Sequence, residues 1–259
     1  MTGMRHLAPV RWPPSPRLRS MVAGGGYVGW AMRPDRTARF VVPAHASVQL
    51  VIKVEDSAVR PPEFLHGTAD RPTPLEGGCA PRYLQVDLTP LGAYRVLGVP
   101  MHHLAGQLVD LGEVLGPAGR RLGDAVRDAA TWRGRFGAVD RFLLGRVESA
   151  PAITGDVAFA WRELERSGGA VPIQVICRQV GWSHKHLITR FREQIGLTPK
   201  RAARVIRFER VLRRLDEAPR PDWARLAAEC GYADQAHLIR DFAEFAGTTP
   251  AAATGRAWR

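Results

Sequence analysis

The sequence has few cysteines, few lysines and no long apolar run. Its 259 residues include only Cys79, Cys177 and Cys230, which are too scattered for a disulfide scaffold or a four-cysteine zinc site. Such sparse cysteine usage is typical of a reducing compartment. No stretch approaches the ~18 consecutive apolar residues of a membrane-spanning helix. We therefore expect a cytoplasmic location, no membrane partner, no metal and no cofactor.

The scarcity of lysine means that arginine carries the positive charge. Lys53, Lys185 and Lys200 are the only lysines among 37 basic residues, and with 25 acidic residues the formal net charge is +12. GC-rich codons also produce an arginine excess, so the location of the charge is more informative than its total. Residues 168–259 hold 16 basic and 9 acidic residues, whereas residues 21–167 are nearly neutral. A basic region beside a neutral one indicates a polyanionic partner for the basic part.

The first 150 residues are irregular in composition. Residues 1–26 contain four prolines and end in three glycines, and we expect a disordered leader there, or a segment that is not translated, since Met4 and Met21 are alternative starts. Residues 27–150 are predicted to form a β-rich sensor or dimerisation domain with a helical appendix. Its strand candidates are Phe40–Val42, Tyr83–Leu88 and the alternating run Val48, Leu50, Ile52 and Val54. Its helix candidates cover residues 91–97, 119–133 and 136–148.

The C-terminal part contains one unit twice. Gly181 corresponds to Gly231 at an offset of 50, and Leu187 and Phe191 correspond to Leu238 and Phe242 at an offset of 51. Each copy is predicted to be a helix, a turn with glycine and an aromatic residue, and a second helix, which is the helix-turn-helix pattern. The first unit covers about 171–196, the second covers about 222–247, and a linker helix covers about 198–215.

The second helix of each unit has a stripe of apolar residues for its own core and leaves its other faces free. Ser183 and Asp234 are predicted to cap these helices through their side-chain oxygens. A helix with short polar and cationic side chains fits the DNA major groove, where Gln can pair with adenine and Arg or Lys with guanine. The linker helix would be about 27 Å long. A spacer of that length favours a separation of about one DNA turn, or ~34 Å, between the second helices of the two units.

These motifs resemble the AraC family of bacterial transcription regulators over residues 155–257. The resemblance lies in the unequal turns, in Gly-Leu-Thr-Pro after the first unit, in Arg207-Phe208 of the linker, and in Gly-Tyr-Ala-Asp-Gln-Ala-His-Leu of the second unit. It implies sequence-specific binding to double-stranded DNA by a protein that is not an enzyme. Ile188, Ala236 and Ile239 depart from the family pattern, because they are apolar where polar base-reading residues are common.

The resemblance implies two groups of site residues. The expected DNA-reading residues are His184, Lys185, Ile188, Thr189, Arg190, Gln235, Ala236 and Arg240. The expected phosphate-contacting residues are Ser183, Arg192, Lys200, Arg201 and Asp234. We interpret the other arginines of the linker, from Arg204 to Arg214, as a solvated face near phosphates.

The N-terminal part resembles the sensor half of a subgroup of AraC-like regulators, through Leu91–Pro100 and Leu108–Leu111. The resemblance implies a degenerate cupin-like β unit that binds an effector or dimerises. The expected fold class is therefore α+β, with a β-rich N-terminal domain and an all-helical C-terminal domain. Candidate partners besides DNA are RNA polymerase, a small-molecule effector and a second copy of the chain.

Two other functions stay open at this point. In the first, the DNA-binding unit is fused to an enzyme in which Cys79 accepts an alkyl group, although nothing near this cysteine indicates an activated thiol. In the second, the chain is a basic module that binds nucleic acid without sequence preference. His45, His66, His102 and His103 lack the carboxylate and the spacing of a cupin metal site, and Cys177 and Cys230 are expected to be buried.

Overall fold

The computed structural model describes residues 9–31, 39–55, 61–76, 82–217 and 221–253. The N-terminal part of the described chain is rich in strands. These are β1 (Val10–Trp12), β2 (Val22–Ala31), β3 (Arg39–Val42), β4 (Val48–Lys53), β5 (Glu63–His66), β6 (Thr73–Glu76), β7 (Arg82–Leu88) and β8 (Leu108–Asp110).

Two antiparallel sheets arise from these strands. One sheet has the order β1-β2-β7-β4-β5-β8, and β3 pairs with β6 in the other. In β4, which lies between β7 and β5, the predicted alternation is confirmed: Val48, Leu50 and Ile52 are at most 2% exposed and pack in the core between sheet and helices. Val51 packs on the opposite face of the same sheet. The alternation of side chains along the strand therefore gives the sheet two apolar faces.

Helices of the N-terminal part cover one face of the larger sheet. They are α1 (Pro90–Leu97), α2 (Leu111–Leu115), α3 (Pro117–Asp128) and α4 (Trp132–Glu148), with short 3-10 turns at Pro16–Leu18 and Met101–His103. The helical appendix expected after Pro90 is present. The predicted helix over 119–133 ends earlier, at Asp128, because Thr131 caps α4 by accepting a hydrogen bond from the Gly134 N–H at 3.1 Å.

The expectation of a disordered leader over residues 1–26 is wrong for the described residues 9–26. Strand β1 pairs with β2, and Leu18 and Met21 are buried in the core of the N-terminal part. The glycines permit this arrangement, since a Cβ on Gly26 would lie 2.3 Å from the carbonyl oxygen of Trp12. They form an irregularity within β2, where the register with β7 shifts between Val22 and Tyr27. Residues 1–8 lie outside the described residues.

The C-terminal part is helical throughout its described residues. Its helices are α5 (Gly155–Arg166), α6 (Ile173–Val180), α7 (His184–Ile195), α8 (Pro199–Glu217), α9 (Trp223–Glu229), α10 (Gln235–Ala246) and α11 (Pro250–Ala253). Buried side chains from all of them form a single core. The predicted α+β class, with a β-rich part followed by a helical one, is confirmed. Among the described residues, no helix combines the length and apolarity of a membrane-spanning segment.

The two parts are joined by hydrogen bonds from backbone N–H groups as well as by apolar packing. The Ala44 N–H donates to the Phe245 carbonyl oxygen at 2.8 Å, and the Ala46 N–H donates to Glu209 Oε1 at 2.9 Å. Ala44 and Ala46 belong to the core of the C-terminal part, although they precede β4 in the chain. The N-terminal part therefore lies directly against α8 and α10.

The buried position of Leu18 predicts a large effect of its truncation. Its side chain is 0% exposed, and we expect Leu18→Ala to lower the free energy of unfolding by about 2–5 kcal/mol, through lost burial and the cavity left behind. Urea unfolding followed by tryptophan fluorescence measures this change. Arg19→Ala, at the exposed neighbouring residue, is the control and should have little effect. Equal, near-zero effects of the two substitutions would support a disordered leader after all.

Glu209, at the junction of the two parts, has a strongly perturbed pKa. Burial raises the pKa of its carboxyl from 4.5 to about 7, and the nearby carboxylates of Asp87 and Glu165 act in the same direction. The Ala46 N–H and Arg213 oppose the shift. The folded chain therefore binds a proton at Glu209 at pH values where the unfolded chain has released it.

This proton uptake predicts a pH dependence of stability. Since the folded-state pKa is the higher one, the contribution of Glu209 to stability is present at low pH and is lost as the pH rises from about 4.5 to about 7. We expect Glu209→Gln to unfold at higher urea concentration than the wild type at pH 8, and at about the same concentration at pH 4.5. The control is Glu229→Gln, because an ion pair with Arg225 lowers the pKa of that exposed carboxyl. A difference between wild type and Glu209→Gln that does not change with pH would contradict the account.

Candidate nucleic-acid interface

The first helix-turn-helix unit is formed by α6 and α7. Helix α6 ends at Gly181, whose φ of +69° lies in the left-handed region that glycine adopts without strain. Ser183 Oγ then accepts a hydrogen bond from the His186 N–H at 3.2 Å and begins α7. Trp182 lies between them, and its ring contacts that of His186 edge to face at 4.4 Å.

The second unit repeats this geometry with α9 and α10. Gly231 has a φ of +78°, and Asp234 Oδ1 accepts from the His237 N–H at 2.6 Å to begin α10. Tyr232, the counterpart of Trp182, is buried and contacts the ring of His237 edge to face at 5.1 Å. The predicted turns and N-caps of both units are confirmed.

Each second helix is anchored by the apolar pair predicted from its spacing. Leu187 and Phe191 in α7 are 0% exposed, and Leu238 and Phe242 in α10 are at most 1% exposed. Because residues four apart lie on one side of a helix, burial of these pairs turns the opposite side outward. Neither outer face is covered by other described residues of the chain.

The outer faces present most of the predicted DNA-reading residues to solvent. On α7 the exposed residues are His184, Lys185, Thr189 and Arg192, with Ile188 half-buried beside them. On α10 they are Gln235, Ala236, Ile239 and Arg240. Lys200, at the start of α8, is exposed as well. These side chains provide cationic groups, amide donors and acceptors, and small apolar surfaces.

Two predicted site residues do not join these faces. The Arg190 guanidinium pairs with Glu193 in the same helix at 2.7 Å and approaches Thr154 Oγ1 at 3.4 Å. The guanidinium of Arg201 pairs with Asp70 and Glu244 at 2.8 and 2.6 Å. In the free chain these two guanidiniums therefore face acidic partners rather than the outer faces, and a DNA contact of either residue stays a prediction.

The predicted phosphate contacts of Ser183 and Asp234 differ in what their side chains allow. Ser183 Oγ accepts the cap hydrogen bond from the His186 N–H and keeps its own O–H proton, so a phosphate contact there stays a prediction. The carboxylate of Asp234 accepts from the His237 N–H and has no proton to donate to a phosphate. A phosphate near these residues would also meet the free N–H groups at the helix N-terminus, which favour anions.

Linker arginines form contacts with residues that are distant in sequence. Arg204 donates to Asp241 Oδ1 at 2.6 Å and also pairs with Glu244. Burial disfavours its charged form, but the hydrogen bonds to these two carboxylates outweigh burial and raise the pKa of Arg204. Arg207 donates to the Gly169 carbonyl oxygen at 2.9 Å and lies over the ring of Tyr232. The sequence does contain an indication of these contacts. Asp241 is an acidic residue next to the apolar stripe of α10, and a carboxylate at such a position needs a cationic partner.

The remaining candidate residues form no chemical site among the described residues. The His45 Nε2 lies 3.1 Å from His66 Nδ1, and burial lowers the pKa of His45 to about 4. His102 and His103 contact each other's rings. Cys177 and Cys230 are buried, as expected, and Cys79 lies outside the described residues. Over the described ranges, no group of three or more His, Cys, Asp or Glu side chains is arranged to hold a metal ion.

Comparisons with known proteins match two parts of the chain. Residues 176–256 match a family model described as a helix-turn-helix domain, and residues 10–110 match a domain of unknown function (DUF6597). No curated protein matches the chain.

The chain is similar, at low identity, to several solved structures of ToxT from Vibrio cholerae. ToxT from strain O395 is 10% identical with a TM-score of 0.47, covering 87% of this chain and 95% of that chain. ToxT from strain SCE256, with an unsaturated fatty acid bound, is 13% identical with a TM-score of 0.47, covering 83% and 90%.

The cap at Asp234 predicts a specific loss of stability. We expect Asp234→Ala to lower the free energy of unfolding by about 1 kcal/mol, because the backbone N–H groups at the start of α10 lose their acceptor. Thermal unfolding followed by circular dichroism measures the change. Asp234→Asn keeps an oxygen acceptor and is the matched control, with an expected loss well below that of the alanine variant. Equal losses in the two variants would show that the cap hydrogen bond does not stabilise the helix.

Proposed function

We propose that the chain recognises specific sequences in double-stranded DNA, on the premise that residues 176–256, which match a helix-turn-helix domain, act as the AraC-type domain of a DNA-binding transcription regulator. Helices α7 and α10 would each enter a major groove. The observation that carries the proposal is the duplication: two helices with the same cap and the same buried stripe each present an outer face of polar and cationic side chains.

The chemistry of the outer faces supports direct reading of bases. On α10, Gln235 can form two hydrogen bonds with adenine and Arg240 can form two with guanine. On α7, Lys185 can donate to guanine, and Thr189 offers a hydroxyl and a methyl group. Ile188 and Ala236 are suited to apolar contact with a thymine methyl group. The two helices would thus read different sequences.

The charge distribution supports contact with the phosphate backbone. Arg192 and Lys200 are exposed cations at the edge of the first unit, and the N-termini of α7 and α10 carry free N–H groups and the positive end of a helix dipole. Neutralised phosphates release counterions, so affinity should fall steeply with salt concentration. The acidic residues of α10, Asp241 and Glu244, are paired with arginines and therefore do not repel the backbone.

The spacing between the units supports two successive groove segments. Helix α8 has 19 residues, which corresponds to about 28 Å of helix. A separation of about one DNA turn, ~34 Å, between the two readers would let a single chain contact both segments. The expected site then covers ~15–20 base pairs.

The remaining parts of the proposal concern organisation and partners. Residues 27–150, extended by the ordered residues 9–26, would form the sensor or dimerisation domain, and residues 155–257 would form the DNA-binding domain. A small-molecule effector, RNA polymerase and a second copy of the chain are the candidate partners, in the cytoplasm. A catalytic alkyl transfer to Cys79 is the alternative that mass spectrometry after exposure to methylated DNA would test.

Selection from random duplexes tests sequence specificity directly. We expect the full chain to enrich one bounded sequence at physiological salt. Arg240→Ala should weaken binding to that sequence by about 1–3 kcal/mol and relax selection at one base pair, since a bidentate contact to a base is lost. Electrophoretic mobility shifts with the wild-type and single-mismatch duplexes measure both effects.

Arg225→Ala is the matched control for this experiment. Arg225 is an exposed arginine on α9 that pairs with Glu229 at 2.8 Å, outside the outer faces. Its loss should leave the selected sequence unchanged. Binding without any enriched sequence would refute specific recognition and favour the alternative of a non-specific nucleic-acid module.

A further inference from the structure

We propose that Asp70 and Arg201 are positioning residues through which the N-terminal part holds helix α10 in place. This inference rests on the proposed function, because it concerns the helix that would read the second DNA segment. This role requires no contact of either residue with DNA. Their role is to make the placement of one reading helix depend on the N-terminal part of the chain.

Arg201 is the junction of three elements. Its Nε donates to Asp70 Oδ2 at 2.8 Å, its Nη2 donates to the Asp70 carbonyl oxygen at 2.8 Å, and its Nη1 donates to Glu244 Oε1 at 2.6 Å. The guanidinium also lies over the ring of Phe245 at 5.4 Å. A planar guanidinium with several fixed donors can bind two partners in a defined geometry. Asp70 belongs to the loop before β6, Arg201 to the start of α8 and Glu244 to α10.

Helix α10 is held by its other acidic residue as well. Asp241 is 2% exposed and pairs with Arg204, which also reaches Glu244. The two carboxylates lie three residues apart, on the side of the helix next to Arg240. A shift of Arg201 would therefore move a charged network that borders the outer face of α10.

The C-terminal end of α10 also depends on the N-terminal part. The last carbonyl groups of a helix have no partner within the helix, and the Phe245 carbonyl oxygen accepts from the Ala44 N–H at 2.8 Å. Gly247, which ends the helix, lies against Pro72, to which a Cβ on the glycine would be 3.3 Å distant. Asp70 and Pro72 thus place one loop against both α8 and the end of α10.

Helix α7 lacks the ionic part of this arrangement among the described residues. Its end is contacted by Thr68 Oγ1, which donates to the Ile195 carbonyl oxygen at 3.3 Å. At the position that corresponds to Glu244, Glu193 pairs with Arg190 of the same helix rather than with an arginine of α8. Loss of the Asp70 carboxylate should therefore affect α10 more than α7.

The test is a cycle of protein variants and DNA variants with the full chain. In the selected duplex, either the segment that α10 reads or the segment that α7 reads is replaced by a scrambled sequence. The α10 segment is the one in which Arg240→Ala relaxes selection. We expect Asp70→Asn to shrink the affinity penalty for scrambling the α10 segment by about threefold to tenfold. The penalty for scrambling the α7 segment should stay within twofold.

Two matched variants accompany this cycle. Asp124→Asn removes a carboxylate from an ion pair of the same 2.8 Å length within the N-terminal part and should leave both penalties unchanged. Asp70→Glu retains the charge and should restore most of the wild-type penalty at the α10 segment. An equal loss at both segments, or no loss at either, would overturn the positioning role.

A second measurement needs no DNA and separates this inference from the proposed function. In the free chain, we expect Asp70→Asn to speed amide hydrogen exchange in the last turn of α10 by about threefold or more, with no change in α7. Unchanged exchange in α10 would overturn the coupling even if specific DNA binding is observed. Faster exchange in a chain that selects no sequence would refute the proposed function and leave the coupling in place.

Discussion

The burial of helix α8 is the constraint on which the rest of the C-terminal structure depends. Phe208, near the middle of this helix, is 0% exposed and contacts the rings of Phe242 and Phe245 at 5.5 and 5.4 Å. Side chains of α5 to α7 pack on the same helix within a single core. The two helix-turn-helix units therefore share one core with α8, and the linker is not an exposed spacer between them. Their relative placement is fixed by close packing, which does not deform continuously, and arginines of the same helix add ionic contacts at its surface.

The N-terminal part contacts the C-terminal ends of α7 and α10 and leaves their N-terminal ends free. Thr68 and Ala44 bond to carbonyl groups at the ends of α7 and α10, while the outer faces and the N-terminal ends of both helices stay open to solvent. Contacts with the N-terminal part and contacts with DNA would thus use different regions of the same two helices. Such a division lets both be made at once. It also gives a physical route, through helix ends, by which a change in the N-terminal part could reach the DNA-binding face.

Features set by local chemistry could be predicted from the sequence, and features set by distant partners could not. Gly181 and Ser183 determine a turn and a cap within a few residues, so the helix-turn-helix units were predictable. Order in residues 9–26 could not be predicted, because proline and glycine favour disorder locally, whereas the burial of Leu18 depends on strands far along the chain. The ion pair of Arg201 with Asp70 could not be predicted either, because the two residues are far apart in sequence. Pro74 lies in β6 of the two-stranded sheet, because an edge position tolerates a residue without a backbone N–H, and its partner strand β3 is far from it in sequence.

The central claim is that two helices on one packed core contact successive turns of one duplex. Hydroxyl-radical footprinting of the full chain on its selected duplex tests this claim most directly. We expect two protected segments on one face of the DNA, centred about 10 base pairs apart. Lys185→Ala should weaken protection of one segment and Gln235→Ala protection of the other. A single protected segment that both substitutions weaken equally would contradict the account.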